Sequence, residues 1–160
     1  MITQELALKF FEYKDGVLYW KSMPYKRNDL IGTEAGTLDG DRRQITINKK
    51  HYKTHRLVFL MFHGYMPKEI DHIDGNPSNN NIENLRPATR SEQLCNTGLR
   101  KTSKSGVKGV SWDSNRNKWT VVVTKNKQTM YRNRFDDLEL AQLVAIEARD
   151  KYHGSFTRHK

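Results

Sequence analysis

The feature of this sequence that most limits its fold is a short polar segment that interrupts it after residue 96. Residues 97–106 read TGLRKTSKSG, and they offer little apolar surface to bury. Only 36% of the 160 residues are hydrophobic, so one large core is not expected. The sequence therefore predicts two small domains, 1–97 and 106–160, joined by a basic linker at 98–105.

Positive charge is concentrated in the second of these domains. The chain carries a formal net charge of +10, and residues 101–160 contribute 13 Lys and Arg against 6 Asp and Glu. Residues 1–100 contain 15 basic residues against 12 acidic ones. Because neutralising phosphates releases counterions, this excess favours a polyanionic partner. A basic surface without a dedicated partner is the alternative.

Cysteine content and hydropathy exclude several other classes of protein. The single cysteine, Cys95, excludes an intrachain disulfide framework and a cysteine-rich zinc ribbon. No apolar run is long enough to span a membrane, and the first residues lack the apolar core of a signal peptide. We therefore expect a cytoplasmic protein that is neither secreted nor inserted in a membrane.

The first domain alternates turn residues with short apolar segments, which is typical of small helices and hairpins. The patterns predict an amphipathic helix at 3–13 with Leu6, Phe10 and Phe11 on its buried side, strands at 17–20, 43–47 and 51–54, a helix at 56–62 that ends at Gly64, and a helix in SEQLCN with Ser91 as its N-cap. An Asp-Gly pair and an Asn-Lys-Lys triplet are the predicted turns.

The second domain reads as three strands followed by one helix. VKGVSWD, KWTVVVTK and QTMYRNRF have strand composition, and DDLELAQLVAIEARDKYHG opens with acidic residues and ends at Gly154. The predicted packing face of the helix comprises Leu138, Ala141, Val144 or Ala145, Ala148 and Tyr152. Strand alternation separates Lys118, Thr120, Val122 and Thr124 from Trp119, Val121, Val123 and Lys125, and it aligns Arg132 with Arg134.

A carboxylate and an imidazole stand side by side at Asp71 and His72, in KEIDHIDGNPSNNNIENLRPATRSEQLCN. A neutral imidazole can take a proton from water near pH 7, and a carboxylate can hold a hard divalent cation. Such a cation promotes phosphodiester hydrolysis. Adjacent strand residues point to opposite sides, so both can flank one phosphate only if the pleat is distorted or a helix adds ligands. A surface loop is the alternative, and residues 79–81 are expected to be turn formers.

Four blocks in order resemble the His-Asn-His (HNH) nuclease motif, the ββα-metal hairpin of many phage and mobile-element homing endonucleases. They are THRLVF (54–59), IDHIDGN (70–76), NNNIENLR (79–86) and ATRSEQLCN (88–96), so that the resemblance covers about 45–97. It implies a catalytic core bound to Mg²⁺, for which Mn²⁺ can substitute.

The same resemblance implies roles for individual residues. His72 matches the general base, Asp71 a metal ligand, and Asn84 the asparagine that braces the loop. The third motif position, His or Asn in the family, is Gln93 here, and Asn96 on the same helical face is the alternative ligand. Other matched positions are His55, which either contacts phosphate or packs between strand and helix, and Arg56, Arg86 and Arg90, which either grip phosphates or are solvated.

Residues 105–156 also resemble the Apetala/ethylene-response-factor DNA-binding domain, a three-stranded sheet backed by one helix. The matching features are its GV…W…KW opening, the aromatic residue before the acidic helix start, and the Ala-rich helix that ends in His-Gly. By that resemblance the expected DNA contacts are Lys108, Trp112, Arg116, Lys118, Trp119, Arg132 and Arg134. Structural roles are the alternative, above all for the two tryptophans.

The sequence thus predicts an α+β protein: an HNH nuclease hairpin followed by a three-stranded antiparallel sheet packed on one helix. The expected function is a homing-type endonuclease that hydrolyses double-stranded DNA with one divalent metal, in the host-cell cytoplasm if a phage encodes it. The sequence does not distinguish a monomer from a dimer, and a monomer is the favoured state. A non-catalytic DNA-binding or regulatory protein with a degenerate hairpin is the alternative, and an RNA-directed nuclease is a more remote one.

Overall fold

The computed structural model describes residues 2–24 and 28–159, which divide into two compact units between residues 88 and 89. Helices and strands occur in both, which confirms the α+β class. The division assigns the segment 89–97 to the second unit, whereas the sequence grouped it with the first; the limits of independently folding domains stay a prediction. No helix in the described ranges is both long and apolar enough to cross a membrane.

The described part of the first unit is built from three small antiparallel sheets and two helices. Its elements are α1 (Gln4–Phe10), β1 (Phe11–Lys14), β2 (Val17–Trp20), β3 (Thr37–Asp39), β4 (Arg42–Ile47), β5 (Lys50–Lys53), α2 (Thr54–His63), β6 (Glu69–His72) and β7 (Leu85–Ala88). The strands pair as β1-β2, β3-β4-β5 and β6-β7.

Turn chemistry explains where these hairpins form. Asp15 and Gly16 have φ of 47° and 84°, and Asn48 and Lys49 have φ of 49° and 61°. Two residues with positive φ are what tight hairpins need to match the twist of their strands. The C-cap of α2, Gly64, is also left-handed at φ 73°. The predicted turns and the end of α2 are therefore confirmed.

In the first core, α2 packs with β1 and β2 from the start of the unit and with β4 from further along the chain. Its most buried side chains include Phe11, Leu18, Ile45, Leu57 and Phe59. The predicted helix at 3–13 was too long, because the chain becomes extended at the C-cap and residue 11 begins β1.

That early end of α1 also changes which of its residues face the core. Ala7 and Phe10 are buried, whereas Leu6 is 39% exposed. Burial of Leu6 was therefore a wrong prediction. A helix of seven residues buries one narrow stripe, and the register of Ala7 and Phe10 leaves Leu6 to one side of it.

The second unit contains α3 (Arg90–Asn96), β8 (Val110–Asp113), β9 (Lys118–Lys125), β10 (Gln128–Phe135) and α4 (Leu138–His153). The three strands form one antiparallel sheet in the order β8-β9-β10. Ala141 and Ala145 of α4 are fully buried against the sheet together with Val121. Small side chains let a helix approach a sheet closely, and the predicted sheet-and-helix unit is confirmed.

The N-terminus of α3 differs from the prediction. Thr89, not Ser91, is the N-cap, because its side chain accepts a hydrogen bond from the Glu92 amide while Glu92 bonds back to the Thr89 amide. This reciprocal capping box satisfies two donors, whereas a cap at Ser91 satisfies one. Within the predicted linker, Ser105 is buried and its hydroxyl donates to the Val110 carbonyl at 2.9 Å.

Candidate active site and DNA-binding face

The β6-β7 hairpin places Asp71 opposite Arg86. Arg86 donates from Nε and Nη2 to the same carboxylate oxygen, Oδ2 of Asp71, at 2.9 and 2.7 Å. Both side chains are largely buried, with 15% of Arg86 and 10% of Asp71 exposed. Arg86, expected either to grip phosphate or to be solvated, therefore neutralises the candidate metal ligand.

The donor set around Asp71 suits a cation that keeps most of its own water ligands. Among the residues that the structure describes, no three or more His, Cys, Asp or Glu side chains form a group that could hold a metal. Mg²⁺ is usually held by one or two carboxylates and completed by water and phosphate oxygens, so a single carboxylate is a sufficient protein donor, although Oδ2 of Asp71 already accepts from Arg86. Gln93 and Asn96 lie on α3 in the second unit, and their role as ligands stays a prediction.

The next residue on β6, His72, is 6% exposed and is held by an asparagine. Its Nε2 lies 3.1 Å from Oδ1 of the buried Asn80. An amide oxygen only accepts, so in this contact His72 Nε2 is the donor and Asn80 the acceptor. Asn80, expected to be a turn former, therefore orients the candidate base. Its burial could not be read from a run of three asparagines, since no local pattern distinguishes the three.

His55, near the start of α2, packs its ring edge-on against His72 with the ring centroids 5.1 Å apart. Burial, followed by the neighbouring ionisable groups of His72, Arg42 and Arg56, lowers the pKa of His55 to about 3. The imidazole is therefore neutral near pH 7, which favours its packing role over contact with phosphate. Because its pKa is lower folded than unfolded, His55 favours unfolding as the pH falls from about 6.5 toward 3.

The loop that follows His72 is braced by Asn84. Its amide nitrogen donates to Asp74 Oδ1 at 2.9 Å and to the Asn79 carbonyl at 2.8 Å, and its oxygen accepts from the Asp74 amide. Burial alone would raise the pKa of Asp74, but hydrogen bonds from Asn76, Asn79 and Asn84 outweigh it and lower this pKa. The loop is thus held by a network of amides around one carboxylate.

The β1-β2 hairpin supports the same loop from its other side. The Tyr13 hydroxyl donates to Asn81 Oδ1 at 3.2 Å and accepts from the Ile82 amide at 3.1 Å. Gly16 lies so close to the loop that a Cβ there would be 2.9 Å from the Asn81 nitrogen. Both the positive φ and this close approach require glycine at position 16.

Replacing Gly16 with Ala should destabilise the first unit by about 2 kcal/mol and slow any reaction that depends on the loop. Gly40→Ala is the matched control, because Gly40 also has positive φ, at +63°, but an added Cβ would meet nothing within 4 Å. Urea unfolding of both variants checks the difference. Equal losses of unfolding free energy in the two variants would mean that backbone strain at positive φ, not contact with the loop, destabilises Gly16→Ala.

In the second unit, Arg132 and Arg134 occupy one exposed face of the sheet. They pair with Val122 and Thr120 of β9, and opposite residues in an antiparallel pair share a face. Lys118 belongs to the same face by alternation. We call this set, Lys118, Arg132 and Arg134, the basic face. Lys118 also pairs with Asp136 at 2.9 Å.

The other expected DNA contacts lie elsewhere in this unit. Trp112 and Trp119 pair with each other across β8 and β9, with ring centroids 5.0 Å apart, on the side of the buried Val121. The structure therefore does not bring the tryptophans together with the basic face. Arg116, in the β8-β9 turn, is paired with Asp113 at 3.2 Å.

Lys108 is half-buried, and its ammonium donates to the Cys95 carbonyl at 3.1 Å and to the Thr97 carbonyl. Burial, followed by the charge of Arg149, lowers the pKa of Lys108 to about 8. An amine engaged with the end of α3 is poorly placed for the DNA contact that the resemblance implied. No sequence signal distinguished this lysine from its exposed neighbours.

The remaining arginines of the HNH resemblance have protein partners. Arg56 donates to the Pro67 carbonyl at 2.9 Å and to the Lys68 carbonyl at 3.2 Å, which braces the turn between α2 and β6. Arg90, on α3, lies 3.5 Å from Gln93 Oε1 through Nη1. Neither a solvated position nor a grip on phosphate, the two expectations for Arg56, describes these contacts, which are structural.

Comparisons with known proteins agree with the HNH pattern. A family model described as HNH endonuclease matches residues 52–94. The chain is also 39% identical over 118 residues to Protein 3.8 of Escherichia phage T7, across 70% of this chain and 96% of that protein. No solved structure gives a significant match. With the motif matched and a relative aligned over nearly its whole length, this chain belongs to the HNH endonuclease family.

Proposed function

We propose that this chain is a metal-dependent endonuclease that hydrolyses phosphodiester bonds of double-stranded DNA. The observation that carries the proposal is that two consecutive residues at the end of β6 are both buried and held by partners: Asp71 by Arg86, and His72, through its Nε2, by Asn80. A fixed, buried base beside a hard oxygen ligand is what phosphodiester hydrolysis needs. A turn-forming loop needs neither.

His72 acts as the general base in this proposal. Its imidazole, oriented by the Nε2 contact with Asn80, takes a proton from the water that attacks phosphorus. Asp71, together with Gln93 or Asn96, would hold Mg²⁺, or Mn²⁺ in its place. When bound, this ion polarises the phosphate and neutralises charge that develops on the leaving oxygen. The products are a 5′-phosphate and a 3′-hydroxyl.

The second unit supplies most of the affinity for DNA in this proposal. Its exposed basic face presents guanidinium groups that can bond phosphates or guanine edges in the major groove. Its resemblance to the Apetala/ethylene-response-factor domain supports this assignment. Attachment to the same chain raises the effective concentration of the nuclease hairpin at bound DNA.

The homing type, a monomeric state and a host-cell cytoplasmic location complete the proposal. The similarity to a phage protein supports a phage origin and hence action inside a host cell. Mapping of cleavage sites on the DNA that flanks the gene tests the homing type. Cuts confined to gene-free copies of one locus are expected, and cuts at unrelated positions would contradict it.

A plasmid assay tests the central proposal. Purified protein should convert supercoiled plasmid to nicked or linear DNA with Mg²⁺ or Mn²⁺, and EDTA should prevent the conversion. A non-catalytic DNA-binding protein is the second candidate, because Gln93 replaces the His or Asn of the family and Arg86 already occupies the Asp71 carboxylate. Protein that shifts DNA on a gel but leaves it intact with both metals across neutral pH would favour this candidate.

Replacing Arg132 and Arg134 together with Gln should weaken binding to duplex DNA and flatten its salt dependence. Each lost phosphate contact reduces the slope of log K against log salt by about 0.9. The matched control removes two exposed lysines outside the basic face, Lys127→Gln with Lys151→Gln. Fluorescence anisotropy over a salt series measures both pairs. Equal slopes for the two double variants would show that net charge, not the basic face, binds DNA.

A further inference from the structure

The helix α3 carries the third position of the HNH motif, and its C-terminal end is held by two cations of the second unit. Lys108 donates to the carbonyls of Cys95 and Thr97, and Arg149 donates from Nη2 to the Cys95 carbonyl at 3.2 Å. The last carbonyls of a helix have no partner within the helix, and cations are favourable there. These contacts satisfy groups that α3 itself leaves unpaired.

The other end of α3 is fastened to the same unit. The amide of Asn126, in the β9-β10 turn, donates to the Ser91 hydroxyl oxygen at 3.0 Å. Cys95 and Asn96 are buried at 6% and 5% exposure, so the helix also packs by its side chains. Although α3 has only seven residues, it is anchored along its whole length.

Burying two cations against the end of α3 costs desolvation free energy, which a role in solubility would not require. Arg149 is 5% exposed, and burial lowers the pKa of both Arg149 and Lys108. Exposed lysines elsewhere would supply the same net charge without desolvation. The carbonyls at the end of α3 offset part of this cost. Arg149 Nη2 also bonds the Arg158 carbonyl at 3.1 Å, and its Nε is buried without a hydrogen-bond partner among the described residues. The contacts that Lys108 and Arg149 have in common are those to α3.

We propose that Lys108 and Arg149 are positioning residues for the nuclease reaction: they make α3, with Gln93 and Asn96, an integral part of the DNA-binding unit. The inference rests on the proposed function, because it assigns α3 a part in cleavage. It implies that the segment with the third motif position is held in place by the unit that grips DNA. It also replaces the expectation that Lys108 contacts DNA.

The single cysteine provides a direct probe of whether α3 is held in place. Cys95 is buried on α3, so its thiol reacts with a reagent such as dithionitrobenzoate only when the helix loosens. Lys108→Met keeps the apolar stem and removes the cation. In the full-length protein this variant should react severalfold faster than wild type. Lys104→Met, at an exposed lysine four residues earlier, is the matched control and should react at the wild-type rate.

Cleavage and binding assays on the same variants complete the test. Lys108→Met should lower kcat by roughly tenfold or more, since small misplacements of a positioned group are costly, while the Kd for DNA and its salt slope stay at wild-type values. Lys108→Arg, which keeps a cation able to donate to the carbonyls, should restore both kcat and slow thiol reaction. Circular dichroism establishes that each variant folds, and Arg149→Gln serves as the second variant.

Two outcomes would overturn the inference. If Lys108→Met reduces the salt slope and leaves thiol reactivity unchanged, Lys108 contacts DNA and does not position α3. If α3 loosens but cleavage is unaffected, α3 has no part in the reaction. An inactive wild-type protein would instead contradict the proposed function, and the thiol assay would still report whether Lys108 holds α3.

Discussion

Replacing His72 with Ala should reduce the rate constant for DNA cleavage by about 10²–10⁴-fold, the usual contribution of a positioned general base. The Kd for duplex DNA should not change, because the basic face to which we assign the affinity belongs to the second unit. Single-turnover cleavage of a labelled duplex, with anisotropy measurements of binding, separates the two quantities. The expectation follows from the buried imidazole whose Nε2 is held by Asn80.

The controls distinguish loss of a base from loss of structure. Because His72 is buried, His72→Ala leaves a cavity. His72→Gln instead fills the position with an amide, so this variant should lose cleavage with less effect on folding. His51→Ala removes an exposed histidine of β5 and should leave cleavage unchanged. Parallel loss of binding and cleavage in both His72 variants would show that His72 supports structure only.

Much of the fold could be predicted from the sequence because local chemistry determines it. The Asp-Gly turn, the glycine after α2 and the period-two alternation of β9 all reflect the conformation of a few neighbouring residues. The errors arose where two local signals competed. At 3–13 an apolar stripe extended past the true end of α1, and near 90 a capping box at Thr89 prevailed over a single serine cap.

The candidate site was less predictable because its partners are distant in sequence. The motif identified Asp71, His72 and Asn84, but not that Arg86 binds the first or that Asn80 binds the second. Alternation placed Trp119 on one face of the sheet but could not tell that this face packs on α4, where Trp119 joins the core while Trp112 stays 47% exposed. Side-chain pairing depends on tertiary packing, which cannot be read from composition and periodicity.

Removing either member of the Asp71–Arg86 pair should destabilise the protein, yet only one removal should abolish cleavage. Arg86→Met leaves a buried carboxylate without its cation, which should lower the free energy of unfolding by about 3 kcal/mol. This value is at the low end of the range for broken buried ion pairs, because both side chains of the pair are slightly exposed. Asp71→Asn should cost less, since the amide oxygen still accepts from Arg86. It should reduce cleavage by on the order of 10²-fold or more, because the proposed metal ligand is lost.

The two variants should also differ in their response to Mg²⁺. In Arg86→Met the carboxylate is released from the guanidinium, so the cation should bind more tightly and raise the melting temperature. Asp71→Asn should show no such increase. Arg43→Met, which breaks the Arg43–Glu34 pair elsewhere in the first unit, is the control: it should lose stability without gaining a response to Mg²⁺.

The double variant Asp71→Asn with Arg86→Met decides what the pair contributes. Removal of both charges eliminates the uncompensated group, so the combined loss of stability should be smaller than the sum of the single losses. Cleavage should remain absent, since restored stability does not restore the carboxylate. Recovery of cleavage in the double variant would exclude Asp71 as a metal ligand. Additive losses of stability would show that the two side chains contribute independently, despite the 2.7 Å contact between them.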